Sequence, residues 1–211
     1  VWLQLALADI DRRLEALAGL AEKARASATA EELDATDAFA SQLQGQDPAL
    51  RALVEGNREL AGKLQLTAQL TETARKHSAA MQGRLEFIEQ DASLMLRRLE
   101  VAGRKEILGR VMITRLDSLP EVGAIEQEIR HRNALIADTS LDNIDMDEEF
   151  RALVDRPAYL ARHLPGLATR PPQEQQVAQK LLDQRQDLLQ SNLKAHGALL
   201  PLLVDSNLTA R

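Results

Sequence analysis

Four histidines, His77, His131, His163 and His196, and an acidic run from Asp142 to Glu149 are the residues with the most chemical potential in this chain. Histidines could hold a transition metal or move protons, and clustered carboxylates could hold calcium. Neither use survives a check of spacing. No histidine has a second ligand at metal-site separation, and His-Glu-x-x-His does not occur. A calcium loop opening at Asn143 needs glycine at 148 and a carboxylate at 154, but the chain has Glu148 and Val154. The acids Asp142, Asp145, Asp147, Glu148 and Glu149 read better as a helix N-terminus, with Asp145 as its cap and acids complementing the dipole. Phe150, Leu153 and Val154 would then face a partner. His196 sits on an apolar seam, where a satisfied core histidine is the expected role.

Other catalytic signatures are absent. The chain has no Gly-rich phosphate loop, no Gly-x-Ser-x-Gly elbow and no dinucleotide fingerprint. Carboxylate pairs are plentiful, as on any exposed helix, and nothing selects one for acid–base work. The sequence therefore points away from an enzyme, and it offers no catalytic, cofactor-binding or metal-binding residue. Cysteine is absent, which excludes disulfides and thiol chemistry. A net charge of -6 without a basic stripe argues against nucleic acid as a partner.

The elements that carry these residues are helices. Aromatics make up 2% of 211 residues, while Ala and Leu dominate the apolar 45%. Burial should then be spread along helix seams rather than gathered in one thick core. The strongest seam runs Leu50, Leu53, Asn57, Leu60, Leu64, Thr67, Thr71, Ala74, Ser78, Met81, Leu85, Ile88, Ala92, Met95, Leu99, Ala102. Its steps alternate three and four without a slip, which is a heptad pattern. At 1.5 Å per residue it implies a rod roughly 80 Å long. Asp47-Pro48 supplies a start signal for that helix. The polar seam positions Asn57, Thr67, Thr71 and Ser78 either fix register and partner number or mark a loose, water-lined stretch.

Ahead of it, residues 1–46 read as a helical hairpin. Its first helix carries Leu3, Leu7, Ile10, Leu14, Leu17 and Ala21 against a neighbour. A capping box at Thr29-Ala-Glu31-Glu32 opens the second, which ends near Gly45. Residues 47–211 form a single extended helical region, with a bend expected between 103 and 120. Beyond Ala102 the apolar stripe shifts to Leu108, Met112, Leu116 and Leu119, and Ser118-Leu119-Pro120 ends that arm. A return helix opens at Pro120 with Val122, Ile125 and Ile129; charged Arg132 interrupts its stripe, and Asp138-Thr139-Ser140 should end or kink it. Pro157, Pro165-Gly166 and Pro171-Pro172 punctuate a loop with a short helix near Ala158 to His163. The last helix starts near Pro172 or Gln173, with a seam of Leu182, Gln186, Leu189, Leu193, His196, Leu200 and Leu203. Pro201 should kink it or end its regular ladder. The fold class expected is all-α: an elongated antiparallel, coiled-coil-like bundle with one long central helix.

Several stretches resemble one family in order and spacing. They are Asp47-Pro-Ala-Leu-Arg-Ala-Leu-Val-Glu-Gly-Asn-Arg-Glu-Leu-Ala61, the run from Leu85 to the Leu119-Pro120 stop, Ile129-Arg-His-Arg132-Asn-Ala-Leu135, and Gln184-Arg-Gln-Asp-Leu-Leu-Gln190. Together they resemble the large helical periplasmic region of the MscK/KefA-type proteins. These are big bacterial members of the small-conductance mechanosensitive channel (MscS) family, once called potassium efflux system proteins. The resemblance covers most of residues 47 to 200.

It implies a periplasmic part of a bacterial inner-membrane protein, attached to the membrane through segments outside this chain. It also implies a homo-oligomer, a heptamer in that family, opening under tension during osmotic downshock. No pore residue carries over. The chain begins at Val1 and its longest mostly apolar uncharged run, Gly197 to Val204, is far short of the ~20 residues of a span, so an excised piece is expected. Two alternatives compete with this reading: a periplasmic ligand-sensing helical bundle, and a coiled-coil scaffold without a channel.

Overall fold

The computed structural model describes residues 48–102 and 122–210, together with isolated positions between 9 and 34. The chain is all-α, with no strand among the described residues. Helix α1 spans Pro48–Ala102, α2 spans Val122–Ala152, α3 spans Arg156–His163, and α4 spans Pro172–Thr209. A single 3-10 turn, Leu167–Thr169, lies between α3 and α4. The heptad seam thus becomes one helix of 55 residues that begins at Pro48, where a missing amide costs nothing. The Asp47 cap and the Leu108 to Pro120 arm lie outside the described residues, as do the Thr29 capping box and the end of the hairpin near Gly45.

Local signals account for the α3 region. Asp155 caps α3 by accepting from the Ala158 amide at 3.2 Å, and Pro157 occupies the first turn. The Leu164 amide closes the helix onto the Leu160 carbonyl at 2.7 Å. Gly166 then takes φ 81°, a left-handed conformation that glycine adopts without strain. Gln175 of α4 donates to the carbonyls of Ala168 and Arg170, which ties the turn to the helix it precedes.

Four local expectations are corrected in whole or in part. Asp138-Thr139-Ser140 does not end a helix, and Asp145 is not a cap, because α2 runs unbroken through both. Thr139 and Met146 are buried on its inner face, and that packing overrides the local turn preference of Asp, Thr and Ser. Pro201 lies within α4, so of the two outcomes expected for it the helix end does not occur. Val154 faces solvent, 77% exposed, whereas Leu153 beside it is buried.

The chain divides into two compact units. The first comprises 1–72 and 139–199. In it, Asn57 of α1 bonds to the Leu181 carbonyl of α4, and Asn192 of α4 bonds to the Leu60 carbonyl of α1. Higher numbers on one helix meet higher numbers on the other, so these two helices run parallel. On α2, Asp142 meets Lys63 and Glu149 meets Arg185, so α2 runs antiparallel to both. The core of this unit gathers Leu53, Leu60, Leu153, Leu181, Leu182 and Leu189. Tyr159, Leu164 and Leu167 add the α3 region to the same core.

The second unit comprises 73–138 and 200–211. Its core is thinner: Ala74 and Leu203 are its buried apolar residues among those described. The α1 seam loses cover here. Met81 is half-buried, and Leu85, expected inside, is 42% exposed. Of the hairpin stripe, Ile10, Leu14 and Leu17 are exposed, and the second hairpin helix lies outside the described residues.

Candidate functional site: a polar layer inside the first unit

The seam asparagine Asn57 anchors the most developed polar cluster. It is fully buried on α1, and its amide nitrogen donates to the Leu181 carbonyl at 2.9 Å. Its amide oxygen accepts from Arg185 Nη1 at 3.1 Å. Arg185 Nε in turn donates to Glu149 Oε1 of α2 at 2.5 Å, and the Tyr159 hydroxyl of α3 donates to that same oxygen at 3.0 Å. One layer thus fastens α1, α2, α3 and α4 together. Both ends of the Asn57 amide are used, which leaves a single orientation of the side chain.

Backbone geometry makes room for the guanidinium. A Cβ on Gly56 would lie 2.8 Å from Arg185 Nη1, so glycine at 56 allows the arginine to lie against α1. The Arg185 side chain is 13% exposed and that of Glu149 is 29% exposed. Burial works against the arginine's charge, but the bond and the opposite charge of Glu149 outweigh it and hold its pKa above the ordinary value. Burial is the main reason the Tyr159 hydroxyl is harder to ionise than usual; Glu149 acts in the same direction, and Arg185 opposes it. A carboxylate already engaged by a guanidinium and a phenol is a poor proton acceptor for a substrate. The chemistry of this layer is cohesion and register.

Two further contacts repeat the pattern. Asn192, fully buried on α4, donates to the Leu60 carbonyl at 3.0 Å and to the Leu188 carbonyl at 2.9 Å. Within the second unit, the charged break in the α2 stripe is also a core contact. Arg132, 8% exposed, donates through Nε to Asn207 Oδ1 at 2.6 Å, and its Nη1 lies 2.9 Å from His77 Nε2. Asn207 also donates to Asn133 Oδ1 at 2.8 Å.

The remaining histidines are scattered. His163 stacks on Tyr159 with ring centroids 4.2 Å apart, His131 is exposed, and His196 is buried. The expectation of a satisfied core histidine is met only in part, because His196 Nδ1 has no hydrogen-bond partner. Among the described residues there is no group of three His, Cys, Asp or Glu side chains able to hold a metal ion. A groove of about 260 Å³ lies in the first unit between α1 and α4, floored by Leu64, Ala68 and Ala195 and edged by Asp187, Gln190 and Lys194. Among the described residues, no helix is long and apolar enough to cross a membrane.

Sequence reasoning marked Asn57 and Arg132 as irregularities in apolar stripes, and both are core contacts. It missed Glu149, which looked like one acid among five, and Arg185, which sits in a polar Gln-Arg-Gln-Asp run. No family model, no curated protein and no solved structure matches the chain.

Proposed function

We propose that this chain is a structural helical domain from the periplasmic region of an MscK/KefA-like mechanosensitive channel protein. In this reading it forms a collar that assembles with its copies outside the inner membrane and tunes tension gating. The observation that carries the reading is the ordered set of sequence stretches between Asp47 and Gln190. The fold adds support: three polar residues within those stretches, Asn57, Arg132 and Arg185, all make contacts inside the units. The stretches therefore coincide with the residues that set helix register. Leu85, Phe87, Leu94 and Leu96, left exposed on α1, fit a part that works by assembly.

The first test is the parent reading frame. A signal peptide upstream and several apolar segments of ~20 residues downstream are expected. Patch-clamp of the full-length protein should then give tension-activated currents whose threshold shifts when Arg185 and Glu149 are replaced together by Met and Leu. A frame without any membrane span overturns the channel reading and leaves a free-standing scaffold.

The groove beside Leu64 and Ala68 favours a second reading, a ligand-sensing bundle, because its apolar floor has polar groups along the edge. A thermal-shift screen against small solutes tests it, since a specific ligand raises the melting temperature. A flat response across the screen removes this reading.

A further inference from the structure

His196 is unusual among the polar residues of the first unit. It is 3% exposed, and its Nδ1 has no partner. One helical turn earlier on the same face of α4, Asn192 is fully buried and its amide oxygen is likewise unpaired. The charged groups acting on the imidazole come from the two helices packed against α4. Asp142 of α2 favours its protonation and Lys63 of α1 opposes it. Those two form their own ion pair at 3.4 Å, with side chains 47% and 37% exposed. A neutral imidazole therefore lies buried near a lysine–carboxylate pair that is already closed on itself.

We propose that His196 is an acid-sensitive latch for the first unit: its neutral ring fits the closed packing of α1, α2 and α4, and its protonated ring does not. The imidazolium carries a second N–H into a site that offers Nδ1 no acceptor in the closed arrangement. The carboxylate that acts on the ring, Asp142, is already engaged by Lys63, so the imidazolium competes for one of the contacts that join α1 to α2. Acid thus acts on three helices through one side chain.

The direction of the pH effect follows from linkage. Burial is the main cause that holds the His196 pKa below its ordinary value of about 6.5 in the folded state. The unfolded chain then binds a proton that the folded chain refuses. Stability is complete above about pH 6.5 and declines as pH falls from there toward the folded-state value, at up to about tenfold in the folding equilibrium constant per pH unit.

The test compares the whole chain with His196→Gln by urea unfolding between pH 7.5 and 5. The natural chain should lose more of its folding equilibrium constant over this interval than the variant, which should follow a flatter line. Equal slopes overturn the proposal, because the other three histidines then account for the pH dependence. Ring NMR of the natural chain gives a second reading that needs no variant. Its His196 signal should titrate below the ordinary histidine value, and that change should coincide with loss of amide protection in α4. A ring that titrates at its ordinary value while α4 stays protected overturns the latch.

Discussion

The Asn57, Glu149, Tyr159 and Arg185 layer shows how polar residues make a helix bundle specific. Apolar side chains tolerate sliding, whereas an amide bonded at both ends does not. Removing one partner should cost more than removing both charges. Glu149→Ala strands a guanidinium that is mostly inside, and we expect a loss of about 2–3 kcal/mol, below the cost of a fully buried pair because Glu149 is partly exposed. Glu149→Leu with Arg185→Met should lose less than that single change. Urea midpoints of the three proteins check this, and a double variant weaker than Glu149→Ala would refute it. Glycine gives a sharper contrast. Gly62 has open space around a built Cβ, so Gly62→Ala should stabilise the helix by up to about 1 kcal/mol. Gly56→Ala should forfeit that gain, because its Cβ meets Arg185. Melting temperatures that rise equally in both would show the arginine free to move aside. Only part of this layer was legible in the sequence. Asn57 breaks a heptad seam visibly, but its partner Arg185 lies 128 residues away, at a register that no local pattern encodes.

The helices themselves were more readable, because periodicity is a local property. The seam placed α1 at Pro48–Ala102, and proline placed the start of α4 at Pro172. The failures came where local preference and packing disagree. Asp138-Thr139-Ser140 favours a turn by itself, yet Thr139 is 7% exposed within an unbroken helix. The boundary between the two compact units crosses α2 between Asp138 and Thr139. It crosses α1 between Glu72 and Thr73, near Thr71, whose hydroxyl bonds back to the Thr67 carbonyl, and α4 between Leu199 and Leu200, near Pro201. Each crossing sits beside a residue that competes with the regular helix ladder. Pro201 is exposed, so its side chain packs little, while its ring removes one ladder bond. Pro201→Ala should therefore raise stability, by about 1–3 kcal/mol. A denaturation midpoint that is unchanged or lower would show that the proline is needed for packing.

Among the described residues, burial is uneven, and this sets where the chain should open. The first unit holds nearly all of the buried apolar side chains described, among them Leu181, Leu182, Leu188 and Leu189, each 1% exposed or less. The second unit has Ala74 and Leu203, and relies on the Arg132 contacts with His77 and Asn207. Hydrogen bonds of this kind contribute about 1 kcal/mol each, more where a charged group takes part, whereas a fully buried Leu contributes about 1.5–3. Fixing a helical residue costs about the same in backbone entropy in either unit. The second unit therefore has less to set against that cost. Native-state hydrogen exchange should find amides at 177–195 protected to the level of global unfolding, and amides at 85–98 and 122–130 exchanging through smaller openings. Arg132→Met should lower protection in the second unit and leave Leu181 to Leu189 unchanged. Uniform protection along α1 would overturn this ordering. It would mean that helix continuity, rather than side-chain burial, sets the unit of cooperativity.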